Sequence, residues 1–235
     1  MISLKNITHF FNDFKALDDI SFDVKEGQVL GLIGENGAGK TTLMRIIAGF
    51  LKQSVGEVKI FDKDFYNDSY ELKQKIGYMP EGAPLYHDMS VISFLKFIAE
   101  AKKINKKLIP TEIDRVVEIA GLKNVLKSDI GILSKGYKRR VSLASAIISD
   151  PAVLLLDEPA EGLDPNQKQD FKQRLKEMNK ITIISSHVLE DVKEFSTDIA
   201  LIHKGCLKFK ASLKEIANQD LNQIFRKYTK DESNN

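Results

Sequence analysis

An α/β fold built around a buried parallel sheet is what this sequence predicts, on three observations. Val29–Ile33, Val153–Leu156 and Ile181–Ser185 are short apolar runs of strand length, closed by glycine or polar residues. Apolar stripes at helical spacing lie between these runs, and strands that alternate with helices argue a parallel sheet. A glycine-rich loop joins the first run to the first stripe.

Along the chain, Val29–Ile33 stops at glycines, as a strand does when it enters a phosphate-binding turn. From Thr41 onward Leu43, Ile46, Ile47 and Phe50 recur at helical spacing, so this stripe is expected to pack inward, with Gly49 weakening the helix near its end. Lys75–Met79 reads as a further strand, and 82–150 as an inserted helical lobe with stripes through Val91–Ala101 and Ile113–Ala120. A helix carrying Phe171, Leu175 and Met178 on one face precedes the run at Ile181. Ile199–Ile202 is followed by a turn at Lys204-Gly205, and Ser212 with Glu215 forms a capping box for one more short helix. The tail from Tyr228 is expected to fray.

Composition bounds the partners. The 235 residues are 43% hydrophobic and 29% charged, as in a globular protein that buries a core. A net charge of +2, from 35 basic and 33 acidic residues, offers no broad basic field, so nucleic acid is not an expected partner. Cys206 is a single cysteine and cannot form an internal disulfide, and Met1–Lys5 lacks a secretory pattern; the expected compartment is the cytoplasm. No apolar run approaches the roughly 20 residues that span a bilayer, so membrane work requires another polypeptide. Lys102, Lys103, Lys106 and Lys107 read as a solvated helix end, and Lys138, Arg139 and Arg140 as a solvated helical turn. His9, His87 and His203 are too dispersed to suggest a metal cluster.

Gly34-Glu35-Asn36-Gly37-Ala38-Gly39-Lys40-Thr41 matches the phosphate-loop pattern in full and stands between an apolar strand and an amphipathic helix. Gly34, Gly37 and Gly39 let the backbone wrap closely around phosphate at the positive end of the next helix. Lys40 neutralises β- and γ-phosphates, and the Thr41 hydroxyl suits Mg²⁺, a hard ion that takes oxygen ligands. Val153–Leu156 then delivers Asp157 and Glu158. Asp157 is expected to hold Mg²⁺ and Glu158 to act as general base on the attacking water. On its own the pair is equally a solvated strand end; the phosphate loop upstream favours the functional reading.

Leu133-Ser134-Lys135-Gly136-Tyr137 precedes the acidic strand by one helix and resembles the ABC ATPase signature, Leu-Ser-Gly-Gly-Gln. Ser134 and Gly136 match, while Lys135 and Tyr137 replace the first glycine and the glutamine. Phe11 stands where these ATPases place an aromatic against adenine. Glu161–Asp164 looks like their dimer-contact loop, and His187 after Ser185-Ser186 resembles their switch histidine. Singly these are a core aromatic, a turn residue before Pro165 and a solvated loop histidine; their joint order carries the resemblance along nearly the whole chain.

The resemblance implies a P-loop NTPase (RecA-like) core over 1–81 and 151–210, with an antiparallel β portion and an inserted helical signature subdomain at about 82–150. Together these form an ABC ATPase domain over 1–218, followed by a charged tail, 219–235. It implies ATP and Mg²⁺ at composite sites of a head-to-tail dimer, a homodimer, in which the signature of one copy completes the phosphate loop of the other. Ser134 would cap the signature helix and face the second copy's γ-phosphate. The nucleotide set is then Phe11, Gly34, Glu35, Asn36, Gly37, Ala38, Gly39, Lys40, Thr41, Thr42, Glu81, Ser134, Gly136 and Asp164. The metal set is Thr41, Asp157 and Glu81, and the chemistry falls to Glu158, His187 and Lys40.

Glu81 stands where many relatives carry glutamine. It either reaches Mg²⁺ or water and links nucleotide state to transport, or is a surface glutamate opening a loop. Tyr78-Met79-Pro80-Glu81, the Leu133–Tyr137 signature and Gly162–Asn166 together look like bacterial subunits paired with separate exporter-type permeases, of the multidrug and gliding-motility kinds. The implied location is the inner face of the cell membrane, through that permease. The alternative from another class is a non-transport ABC ATPase acting as a soluble clamp. A GTPase is disfavoured, since Asn179-Lys180-Ile181-Thr182 does not complete a guanine-reading motif.

Overall fold

The computed structural model describes residues 1–67, 69–82 and 84–230. These fall into two units, Met1–Lys73 with Asn179–Asn235, and Gln74–Met178.

In the first unit, β1 (Ile2–Phe11), β2 (Phe14–Val24), β4 (Val55–Ile60) and β5 (Lys63–Asp64) form an antiparallel sheet in the order β2-β1-β4-β5. Ile20, Phe22 and Val24 face the core while Asp19, Ser21 and Asp23 alternate outward, the period-2 pattern of a half-buried sheet. Irregularities between Leu4 and Ile7, Ile7 and His9, and His9 and Phe10 shift the β1 register. Beside this sheet in sequence, β3 (Val29–Ile33) pairs in parallel with β8 (Ile181–Ser186) and β9 (Asp198–His203), and β10 (Cys206–Ser212) adds antiparallel to β9. All of β3 is buried. A Cβ at Gly31 would lie 2.2 Å from Val192 Cγ1, so the glycine admits helix α7 (Leu189–Phe195) against the strand.

Helix α1 (Lys40–Ile47) buries Leu43, Ile46 and Ile47, as its stripe predicts. Phe50 departs from that expectation, being 70% exposed. The helix has already ended there: Gly49 adopts φ 76°, its N–H reaches Ile46 O at 3.1 Å, and Phe50 N–H reaches Arg45 O at 2.9 Å. This pair of reversed bonds is a Schellman stop, which turns the next side chain off the helical stripe. Helix α2 (Ser69–Gln74) lies where one unit gives way to the other.

The C-terminal end also differs from expectation. The Ser212 N–H does donate to Glu215 Oε2 at 3.1 Å, but the chain makes only turns there. Helix α8 (Leu221–Thr229) starts instead at Asp220, whose carboxylate accepts from Asn222 N–H at 2.9 Å. Leu221 and Ile224 anchor it in a cluster with Ile33, Val192, Ile199 and Leu201, and Tyr228 packs on Phe209 at 5.5 Å. Burial therefore orders Tyr228 and the described part of 219–235. Residues 231–235 lie outside the described residues.

In the second unit, β6 (Ile76–Met79) and β7 (Val153–Asp157) pair in parallel. Between them come α3 (Val91–Ala101), α4 (Ile109–Ala120) and α5 (Lys135–Ile147), with α6 (Pro165–Met178) following β7. Ser90 caps α3, and Gly121 at φ 62° ends α4. A Cβ at Gly77 would stand 2.4 Å from Ala146 O, so this glycine seats α5 on β6. Lys102 is not fully solvated: its ammonium donates to Ser149 Oγ at 3.3 Å, and burial lowers its pKa. Among the described residues, no helix is long and apolar enough to cross a membrane.

Candidate nucleotide-binding and hydrolysis site

The phosphate loop belongs to the first unit, and each of its glycines answers a different constraint. A Cβ at Gly34 would stand 2.3 Å from Ile202 O, so the backbone of β9 presses directly on the loop. Gly39 sits at φ 108°, and a Cβ there would also meet Leu17 Cδ2 at 2.7 Å. At Gly37 a Cβ would find nothing within 4 Å. Its bare backbone faces open space, as a loop that wraps phosphate requires.

Gly39 caps α1 without a side chain, and the first turn contains no acidic residue. The positive end of the helix is thus left for an anion. Lys40 is buried and folds back over the loop, its ammonium donating to Gly34 O at 2.7 Å and Glu35 O at 3.0 Å. Gly205 N–H donates to Ala38 O at 3.0 Å, which ties the β9–β10 turn to the loop. Thr41 and Thr42 are half-buried in the first turn. Glu35 and Asn36 are exposed, and Glu35 Oε2 lies 3.9 Å from His203 Nδ1.

Two further expected residues lie in this unit. Phe11 ends β1, is 43% exposed, and meets the His9 ring edge-on with centroids 4.6 Å apart. His187 directly follows β8 and is exposed.

The acidic residues and the signature belong to the second unit. Strand β7 is buried throughout, and Asp157 at its end is 1% exposed. Glu158 follows at φ 51°, a left-handed conformation that costs a non-glycine residue about 1–2 kcal/mol. It is only 7% exposed. An acid held in a strained backbone at a strand end is the arrangement expected of a functional group. Its carbonyl accepts from the guanidinium of Arg139, which also pairs with the Glu161 carboxylate.

Ser134 caps α5, its hydroxyl accepting from Tyr137 N–H at 3.4 Å. Both Ser134 and Lys135 are exposed, and Lys135 Nζ reaches Glu161 Oε1 at 2.6 Å. At Gly136 a Cβ would meet only the Gln167 amide, at 3.5 and 3.9 Å, and Ser134 Oγ at 4.0 Å. The chain's own packing therefore does not demand glycine there. Asp164 has a local role: its carboxylate accepts from Gln167 N–H at 2.9 Å while Gln167 Oε1 accepts from Asp164 N–H at 3.3 Å. That reciprocal pair, with Pro165 next, is a capping box for α6. Glu81 is exposed just beyond β6, ahead of Gly82 at φ 80°.

A family model for the ABC transporter matches residues 17–161. The chain belongs to that family. It is 33% identical over 237 aligned residues to the ABC transporter ATP-binding protein NatA of Bacillus subtilis (strain 168), covering 96% of each. A solved structure of the ATP-binding subunit of an ABC transporter superposes with a TM-score of 0.88 at 25% identity, covering 98% of this chain and 100% of that one. The cbiO1 protein of Clostridium perfringens, part of the ABC transporter complex cbiONQ, superposes with a TM-score of 0.82 at 28% identity, over 96% of this chain and 93% of that one. As an ABC ATPase domain the chain binds ATP, and the family's chemistry is ATP hydrolysis.

The structure also corrects the reading of the basic run after the signature in this ABC domain. Arg139 was expected on a solvated turn, yet it is 4% exposed and on the inner face of α5 with Ser142, Leu143 and Ala146. Three consecutive basic residues look alike in sequence. The usable signal was the spacing of Arg139 from Leu143 and Ala146, which places it on the buried stripe.

Proposed function

We propose that this chain is the Mg²⁺-dependent ATPase subunit of a transporter, working as a head-to-tail homodimer that drives export through a separate membrane permease. The observation that carries the composite site is the N-terminus of α5. Ser134 supplies an exposed hydroxyl there, and the half-buried Gly136 leaves the backbone bare without any need in the chain's own packing, a combination suited to an incoming anion. The γ-phosphate of ATP held by a second copy fits that chemistry.

The donors present also fit the nucleotide and its metal. The bare phosphate loop with Lys40 suits polyphosphate, while the Thr41 hydroxyl and the Asp157 carboxylate are hard oxygen ligands of the kind Mg²⁺ takes. The Glu81 carboxylate is a further oxygen donor for the same ion. Bound Mg²⁺ would neutralise charge developing on the phosphates. Glu158 then orients a water and takes its proton as the oxygen attacks the γ-phosphorus, the bond from that phosphorus to the β–γ bridging oxygen breaks and ADP leaves, with His187 contacting the γ-phosphate or that water. Phe11 gives adenine an exposed aromatic surface, and Asp164 keeps its loop shaped for the dimer contact through the α6 cap. Export is favoured by the combined Tyr78–Glu81, Leu133–Tyr137 and Gly162–Asn166 motifs, and a permease partner by the complex to which the cbiO1 relative belongs.

A mixed dimer tests the composite site. A Ser134→Ala variant and a Lys40→Ala variant should each be nearly inactive, and mixing them should restore one site with both halves intact. No recovery in demonstrated mixed dimers would remove the composite reading. Capture of the chain from detergent-solubilised native membranes should bring down a multi-span membrane protein; recovery of ribosomes or DNA-bound complexes instead would favour a soluble clamp.

A further inference from the structure

Of the three basic residues after the signature, Arg139 alone is buried, and nothing in the phosphate, metal or dimer chemistry above uses it. Its guanidinium makes two contacts. One goes to the backbone carbonyl of Glu158, the residue held at φ 51°; the other goes to the carboxylate of Glu161, three residues on. Glu161 is gripped a second time by Lys135 at 2.6 Å, from the first turn of the same helix. Met79, Leu143, Pro159, Leu163 and Phe171, together with Arg140, line the space beside Arg139, and the lining is mainly apolar. An apolar wall of this kind strengthens the charge-assisted bonds and makes their loss costly.

We infer that Arg139 is a positioning residue for ATP hydrolysis: by holding the Glu158 carbonyl and the Glu161 carboxylate together, it fixes the left-handed backbone that aims the Glu158 side chain. A glutamate does not choose φ 51° unaided, and relaxation of that one residue would swing its carboxylate away. Fixing both ends of the Glu158–Glu161 turn from one helix opposes the relaxation. The same clamp joins the signature helix to the residue after the β7 carboxylate, so a displacement of α5 is transmitted to Glu158. The inference rests on the assignment of Glu158 as general base.

The test compares Arg139→Met, Arg139→Lys and Glu161→Gln with the full-length protein by steady-state ATPase kinetics, fluorescent-nucleotide binding and thermal unfolding. Arg139→Met should lower kcat by about tenfold or more, since small misplacements of reacting groups cost up to ~100-fold, with KM and nucleotide affinity within about twofold. Arg139→Lys, which keeps a donor and the charge, should recover part of that loss. In a Glu158→Gln background, Arg139→Met should add nothing. Normal turnover in a folded Arg139→Met protein, or equal losses in affinity and turnover, would overturn the inference. If Arg139→Met does not fold, Glu161→Gln decides: a fall in kcat alone supports the clamp, and unchanged kcat overturns it. Wild-type hydrolysis by Glu158→Gln would defeat the base assignment and this inference with it. An inactive Glu158→Gln beside a fully active Arg139→Met would defeat the positioning alone.

Discussion

Gly136→Ala separates folding from function at the signature, because the structure predicts opposite signs for the two. Gly136 is the second residue of α5, and a Cβ there meets the Gln167 amide at 3.5 and 3.9 Å, ordinary van der Waals distances. Nothing has to move. Alanine in a helix is favoured over glycine by up to about 1 kcal/mol, less near an end, so the variant should be as stable as the parent or slightly more so. In a chain of this size that gain is a rise of about 2–4 °C at most. Hydrolysis should go the other way. A methyl group on the exposed end of α5 holds an incoming phosphate off the backbone N–H groups, and a lost hydrogen bond to a charged group costs about 1.5–3 kcal/mol, roughly 10- to 150-fold in rate. Calorimetry and a phosphate-release assay on the same preparation read both quantities. Undiminished hydrolysis in a folded variant would refute an anion at this helix end, and a large loss of stability would refute the packing on which the separation depends.

Asp164→Ala should destabilise by about 1 kcal/mol through loss of the α6 cap, and Asp164→Ser should restore stability in thermal unfolding. Comparing ATPase rates of those two variants then separates capping from any dimer role of the carboxylate. Lys102→Met should raise the melting temperature, because burial lowers the Lys102 pKa and so penalises its charged form. The unfolded state binds more protons between that lowered value and the ordinary 10.5, so stability due to this group rises with pH across the window, and the methionine variant should lack the rise. For Tyr66, burial pushes the phenol up to about 12, so the native state keeps its proton longer and its contribution to stability falls as pH climbs from 10 to about 12. Tyr66→Phe should remove a phenol that ionises at about pH 12 from an ultraviolet titration. It should also cost about 1 kcal/mol through the lost 2.5 Å bond to Leu51 O.

The parallel strands and the phosphate loop were legible because their physics is local. Val29–Ile33, Val153–Asp157 and Ile181–Ser186 are buried on both faces and so read as unbroken apolar runs. The amino-terminal sheet was not legible from periodicity, since three register irregularities in β1 break the alternation that would announce it. Ser134 was readable as a cap from its type and place. Asp220 was not, because the competing Ser212/Glu215 pair makes one bond of the expected box without a helix. What decides α8 is the apolar cluster around Ile33, Val192 and Leu201, whose members are remote in sequence. The strain at Glu158 and the contacts of Arg139 likewise depend on tertiary pairing that no local window contains.

The first unit is assembled from the two ends of the chain, and this orders its appearance during synthesis. Strand β3 finds its parallel partners only in β8 and β9, where Val29 faces Thr182 and Leu30 faces Asp198. The continuous segment Gln74–Met178 emerges before either partner, and contacts this distant in sequence form late and slowly. Gly34 rests on Ile202, so a finished phosphate loop cannot precede the arrival of β9. Nucleotide capture is thereby restricted to chains already translated beyond Ile202, and a product truncated before that residue would carry the loop's residues without its shape.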